Sequence, residues 1–182
     1  MQNLLLSKKI GLQVKFVSFF ILFSFVSLTQ VFGQKTWDGG GDGINWGSAN
    51  NWNPNGLPAS TDNVTLTQGQ TVTVDISTAV CNNLNLSPTG SGIATLQFNN
   101  ASILTASGVV TLGQSGNNNR SGALTMTNGG TLICQGFALA NAGTNVFTSG
   151  SGTVQLTANN TLPSTIFTTF NNLTINGGTT TL

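Results

Sequence analysis

The chain contains 182 residues, with 5 Lys+Arg, 4 Asp+Glu and no His, which gives a formal net charge of +1. The absence of His excludes histidine metal sites, and it excludes catalysis by Ser-His-Asp or Cys-His groups. The few basic residues form no patch of the kind that binds nucleic acid, so we expect no nucleic-acid partner.

Residues 1–33 have the pattern of a secretory signal peptide. Lys8, Lys9 and Lys15 precede an uncharged apolar run over residues 16–28, and the segment ends at Gly33. The run is too short to span a bilayer comfortably, so we expect cleavage after Gly33 and no transmembrane segment in the mature protein. The alternative is an uncleaved membrane anchor. The leader predicts a secreted or cell-surface protein.

Residues 34–63 form a segment rich in Trp, Gly and Asn that differs from the sequence after it. It holds all three Trp residues, Trp37, Trp46 and Trp52. We predict that these rings cap the apolar end of the fold that follows, because large aromatic side chains cover much area. The alternative is a ligand surface on which sugar rings stack.

The same segment contains a calcium candidate. Asp38, Asp42 and Asn45 lie on a Gly-rich stretch, and Ca²⁺ takes oxygen ligands from such loops. The spacing departs from a calcium-binding loop at its third and twelfth positions, occupied by Gly40 and Ala49. The other interpretation is a turn in which the Asp side chains bond local backbone N–H groups. We expect no other cofactor.

Residues 64–182 consist of short alternating apolar and polar stretches separated by Gly and Asn, which is typical of strands and turns. Four segments align without gaps, with starts 32, 28 and 30 residues apart: VTLTQGQTV (64–72), LQFNNASIL (96–104), LTMTNGGTL (124–132) and VQLTANNTL (154–162). A repeat of this length in an all-β chain predicts a right-handed parallel β-helix, or β-solenoid. The alternative is an antiparallel β-sandwich, because Gln68-Gly69 and Asn128-Gly129 resemble hairpin turns.

No polar cap follows residues 177–182, so we expect the solenoid to be truncated at this end. An open solenoid end exposes unpaired backbone groups, which predicts a longer natural chain or self-association.

Two further pairs of residues were considered as sites. Cys81 and Cys134 could form a disulfide in an exported protein, but we favour two separate buried thiols. Asp62 and Asp75 are the only acids outside the Gly-rich segment, and we interpret them as turn residues and not as a catalytic pair. We therefore expect no enzymatic activity.

The Trp-containing segment carries a family resemblance. The residues that carry it are Thr36-Trp37-x-Gly39-Gly40, Trp46, Asn51-Trp52, Pro58 and Asp62-x-Val64, with Asn82-Asn83-Leu84 and 170–175 in the repeats. The sequence resembles the N-terminal region of exported Bacteroidetes-type β-helical repeat proteins of the cell surface, which are adhesin-like or autotransporter-like and associated with type IX secretion. The resemblance implies a non-enzymatic structural or binding scaffold whose partners are glycans or extracellular matrix components. The alternative function is a carbohydrate-binding module attached to a missing catalytic region.

Overall fold

A computed structural model describes residues 32–67, 69–87 and 92–181. Residues 1–31 of the predicted signal peptide lie outside the described residues, so the leader and its cleavage stay predictions. Gly33, the last residue of the predicted leader, is the first residue of a strand.

The described chain is almost entirely strands, with one short 3-10 helix at Ala49–Asn51. No helix in the described ranges is long and apolar enough to cross a membrane. The strands in chain order are β1 Gly33–Trp37, β2 Trp52–Asn53, β3 Asp62–Leu66, β4 Thr71–Val74, β5 Ala79–Cys81, β6 Leu84–Leu86, β7 Gly92–Phe98, β8 Ile103–Ala106, β9 Val109–Leu112, β10 Arg120–Thr125, β11 Thr131–Cys134, β12 Gly136–Leu139, β13 Val146–Thr148, β14 Thr153–Leu156, β15 Asn160–Thr161, β16 Asn172–Ile175 and β17 Thr180–Thr181.

The strands form a parallel β-solenoid of about five coils. Sheet A has the order β12-β9-β6-β3-β1-β2, sheet B has the order β13-β10-β7-β4, and sheet C has the order β16-β14-β11-β8-β5. Consecutive strands belong to sheets A, B and C in turn, and the cycle repeats with each coil. The predicted all-β parallel solenoid is therefore confirmed, and the antiparallel sandwich is not formed. Within these sheets the antiparallel pair is β1 with β2.

The core lies between the three sheets and is built from columns of equivalent apolar residues. In sheet A, Val64 pairs with Leu84, Leu84 with Val110, and Val110 with Phe137, and all four side chains are buried. Alternation along each strand places one face inward, so each coil stacks its apolar residues on those of the previous coil. Burying each large aliphatic side chain contributes roughly 1.5–3 kcal/mol.

The coil length differs from the spacing of the aligned sequence segments. Strands of sheet A begin at residues 62, 84, 109 and 136, which makes the coils 22, 25 and 27 residues long. Only the segments 96–104 and 124–132 occupy equivalent places, both running from sheet B to sheet C. The segment 64–72 runs from sheet A to sheet B, and 154–162 runs from sheet C to β15. The repeat of about 30 residues was therefore a similarity between corners and not the length of a coil.

Candidate functional site

The N-terminal end of the solenoid is covered by a partial coil made of residues 33–53. β1 pairs with β3 in parallel and extends sheet A. Residues 44–46 extend sheet B, because Trp46 N donates to Thr73 O at 2.8 Å and Thr73 N donates to Ile44 O at 2.8 Å. β2 then returns antiparallel along β1 and ends sheet A. The predicted cap segment thus occupies the place where a cap is needed.

The three Trp side chains lie together inside this partial coil. The rings of Trp37 and Trp52 meet edge to face at 5.0 Å, and those of Trp46 and Trp52 at 4.7 Å. Trp52 Nε1 donates to Trp46 O at 3.0 Å, and Trp37 Nε1 donates to Gln70 Oε1 at 3.2 Å. All three side chains are at most 1 % exposed. This burial fits the capping interpretation, and it leaves no open indole face on which a sugar could stack while the segment stays folded.

Asp38 and Asp42 lie in the loop between β1 and the 3-10 helix. Asp42 Oδ1 accepts hydrogen bonds from the backbone N–H groups of Ile44 and Asn45, both at 2.9 Å, and its Oδ2 accepts one from Asn45 Nδ2. These donors, the Asn45 N–H foremost, hold the pKa of Asp42 well below its usual range. Asp38 Oδ1 accepts a bond from Gly40 N at 3.0 Å. The carboxylates therefore organise the turn.

No group of three or more His, Cys, Asp or Glu that could hold a metal ion occurs in residues 32–67, 69–87 and 92–181. Calcium binding by Asp38, Asp42 and Asn45 stays a prediction, but the Asp42 oxygens already accept protein N–H donors. The sequence analysis overlooked Asn51, which is fully buried at the centre of this loop. Asn51 Oδ1 accepts from Gly41 N and Gly43 N, and its Nδ2 donates to Asp42 Oδ1 and Asn45 O. The sequence signal for it was an Asn beside a Trp in a Gly-rich segment.

Lys35 completes the covering of the first coil. It stands beside Val64 in the register of sheet A, at an inward-facing position. Its Nζ donates to the backbone carbonyls of Pro54, Asn55 and Gly56 at 2.6, 3.3 and 3.0 Å. The aliphatic part of the side chain can thus lie over apolar residues while the ammonium group is bound by the loop.

The two cysteines are free and buried. Cys81 pairs with Ala106 in the adjacent strand, and the register that pairs Ile133 with Thr105 places Cys134 on the other side of Ala106. Two strand spacings separate the Cα atoms by roughly 9–10 Å, beyond the reach of a disulfide at about 7 Å. Burial raises the pKa of each thiol to about 12. The favoured interpretation of two separate thiols is confirmed.

Asp62 and Asp75 lie in different parts of the first coil, and each accepts a backbone hydrogen bond. Asp62 Oδ2 accepts from Ala59 N at 2.9 Å, and Asp75 Oδ1 accepts from Gly47 N at 2.8 Å. Both therefore serve local structure. The geometry offers no reason to assign them a shared reaction.

Charge is confined to one end of the sequence after the leader. Lys35, Asp38, Asp42, Asp62 and Asp75 all precede residue 76, and Arg120 is the one charged residue between 76 and 182. Arg120 Nη1 donates to Gln114 Oε1 at 2.6 Å. The outward side chains of the later coils are mainly Thr, Asn and Gln, with a few aliphatic residues. This body can make hydrogen bonds and apolar contacts with a partner, but few ionic ones.

The fold and these surfaces define a solenoid protein with an aromatic cap and an almost uncharged body. A family model for the G8 domain matches residues 51–169. Because this match covers more than half of the chain, the chain belongs to the G8 domain family, whose domain is found in extracellular proteins. No curated protein and no solved structure matches the chain.

Proposed function

We propose that the protein is an exported, non-enzymatic, adhesin-like scaffold that binds uncharged glycans or matrix components. The observation that carries the proposal is the composition of the solenoid body, in which a rigid stack of coils carries one charged residue, Arg120, after residue 75. Such a surface recognises partners by hydrogen bonds and apolar contacts, because ionic attraction needs charges that it lacks.

The mechanism is geometric. Each coil buries its inward side chains and leaves a row of outward side chains at the strand spacing of about 4.8 Å. In sheet A, one such row is Thr36, Thr65, Asn85 and Thr111, which occupy paired positions in successive strands. A partner that extends along the stack can therefore make the same weak contact several times, and repeated contacts raise the overall affinity.

Export and surface display belong to the same proposal. The leader-like residues 1–33 and the Trp-rich cap support a protein of the Bacteroidetes-type repeat group, and membership of an extracellular domain family agrees with that destination. N-terminal sequencing of the exported product tests the leader. We expect Gln34 to be the first residue, and a product that retains Met1 contradicts the assignment.

The binding proposal is tested with the purified protein and a panel of immobilised polysaccharides and matrix proteins. We expect saturable binding to uncharged members of the panel, with little change between low and high salt, because few charges are available for screening. Binding that is confined to anionic polysaccharides, or that disappears at high salt, contradicts the proposal. Binding to no member of the panel also contradicts it.

The carbohydrate-module alternative makes a separate prediction. It requires that Trp46→Ala or Trp52→Ala abolishes glycan binding while the protein stays folded. Both side chains are fully buried, so we expect these changes to destabilise the fold by about 3–5 kcal/mol. A folded variant that has lost binding would favour the alternative.

A further inference from the structure

The outward side chains of β5, β8, β11, β14 and β16 form a surface that we call the sheet C face. Taking the proposed function as its basis, we infer that the sheet C face is the binding surface and that its ligand is an extended, uncharged, β-linked glycan lying along the solenoid axis. The inference names the site and the ligand class within that function.

The three outward faces differ in how open they are. On sheet B, the outward-facing Thr73, Ser121 and Ala123 are 4 %, 2 % and 9 % exposed, so other parts of the chain cover that face. Part of this cover is the segment around Gly143, where an added Cβ would lie 2.8 Å from Ser121 Oγ. Sheet B is therefore unsuited to a long ligand.

Sheet A has a partly exposed row, but its neighbouring row is used by the protein itself. Asn63 Oδ1 accepts bonds from Asn82 Nδ2 and Asn83 Nδ2 at 2.9 and 3.0 Å. Asn83 Oδ1 in turn accepts from Val109 N at 2.9 Å. These amides hold the corners of successive coils together, so they are not available to a ligand.

The sheet C face is open over five strands. Its outward side chains are all partly or fully exposed, whereas the inward side chains of β5, β8, β11 and β14 are buried. The side chains of Thr105, Thr131 and Gln155 make no hydrogen bond to another described residue, so their polar atoms are free to bind a partner. The face carries no charged side chain.

The chemistry of this face is mixed in a regular way. Ile103 pairs with Thr131, and Ile133 pairs with Thr105, so an aliphatic residue alternates with a threonine in both directions. Val80 adds a third aliphatic group beside Thr105. A pyranose ring has the matching character, because its C–H groups form an apolar face and its hydroxyl groups lie around the edge. An uncharged sugar can therefore satisfy both kinds of group at once.

The spacing favours a polymer of such sugars. Adjacent strands are about 4.8 Å apart, so five strands span roughly 19 Å, and two rows on one strand are roughly 7 Å apart. One coil step is close to the length of one sugar unit in an extended β-linked chain. Successive units can therefore contact successive coils, and binding should strengthen as the chain lengthens to match the face.

The test uses oligomers of β-linked glucose, from the disaccharide to the hexasaccharide, and uronic acid oligomers of the same lengths. One variant, Thr131→Ala with Gln155→Ala, removes polar groups from two neighbouring coils of the sheet C face. The matched control, Thr65→Ala with Asn85→Ala, removes polar groups from two neighbouring coils of sheet A. Thermal unfolding of both variants verifies that each is folded.

We expect the wild-type protein to bind the neutral oligomers more tightly as they lengthen, and to bind the uronic acid oligomers weakly. The sheet C variant should weaken binding by about tenfold, and the control by less than about twofold. If the control loses binding and the sheet C variant retains it, the inference is overturned and the proposed function stands. A preference for the uronic acid oligomers overturns the assigned ligand class. If the wild-type protein binds no glycan, the proposed function fails and the inference fails with it.

Discussion

Ala101 occupies the same corner in one coil as Gly129 does in the next. The pairing of Leu96 with Leu124 and of Ile103 with Thr131 fixes this equivalence from both sides. Both residues have positive φ, 62° at Ala101 and 102° at Gly129. Ala101 is the one non-glycine residue with positive φ in the part of the chain that the structure describes. The corner therefore needs a conformation that glycine adopts easily and alanine does not.

Replacing Ala101 by glycine should stabilise the protein. The left-handed conformation costs an L-residue roughly 1–2 kcal/mol, and the extra freedom of glycine in the unfolded chain costs roughly 0.5–1 kcal/mol. We expect Ala101→Gly to raise the free energy of unfolding by about 0.5–1 kcal/mol in urea titrations. The reverse change, Gly129→Ala, should lower it by about 1 kcal/mol. Two shifts of the same sign would contradict this account of the corner.

Removing the charge of Asp42 should destabilise the cap in a pH-dependent way. Hydrogen bonds from the N–H groups of Asn45 and Ile44 lower the pKa of Asp42 in the folded protein, so its contribution is present above the unfolded value of about 4. The contribution is lost as the pH falls through and below that value. We expect Asp42→Asn to have a lower melting temperature than the wild type at pH about 7, with a difference that narrows in acid.

Asp38→Asn is the control for Asp42, because Asp38 accepts one backbone hydrogen bond, from Gly40. Its effect on the melting temperature at neutral pH should be clearly smaller. A difference for Asp42→Asn that stays constant from neutral pH into strong acid would show that the carboxylate charge is not what stabilises the loop.

The thiols should be unreactive in the folded protein. Cys81 and Cys134 are fully buried, and burial raises the pKa of each to about 12, so almost no thiolate exists at neutral pH. We expect no rapid reaction with a thiol reagent under native conditions and reaction of both residues in denaturant. A disulfide-linked peptide containing both cysteines in a non-reducing digest would be inconsistent with the positions of their strands.

Adding a methyl group at Gly122 should destabilise the core. Gly122 lies in β10, and a Cβ there would be 2.8 Å from Leu86 Cβ and 3.0 Å from Leu112 Cα. Since one of these atoms belongs to the backbone, relief requires movement of a neighbouring strand. We expect Gly122→Ala to cost about 1–3 kcal/mol of unfolding free energy, measured by chemical denaturation.

Gly69→Ala provides the comparison for Gly122, because the nearest atom to its added Cβ is 3.9 Å away. Its effect should lie within about 0.5 kcal/mol. Equal losses at the two positions would mean that backbone freedom, and not the close approach to Leu86 and Leu112, sets the requirement for glycine at Gly122.

The sequence by itself determined that the chain is all-β, that its strands are short and that aromatic residues gather near its start. These features are local: alternation at Val64-Thr65-Leu66 reports a strand with one buried face, and Trp37, Trp46 and Trp52 are visible as a group. The uncharged body after Asp75 can be read directly as well. The parallel solenoid followed from repetition of strand and turn units without helices, and the structure confirmed it.

Only the tertiary structure decided which corners are equivalent. Every corner requires the same local chemistry, an apolar strand end followed by Asn or Gly, so 64–72 and 154–162 resemble 96–104 without occupying its place. Inter-coil hydrogen bonds, such as those of Asn51 within the cap and of Asn83 between coils, depend on residues that become neighbours after folding. The interposed Ala106, which separates Cys81 from Cys134, is equally invisible in the sequence, because strand register is set by the packing of whole coils.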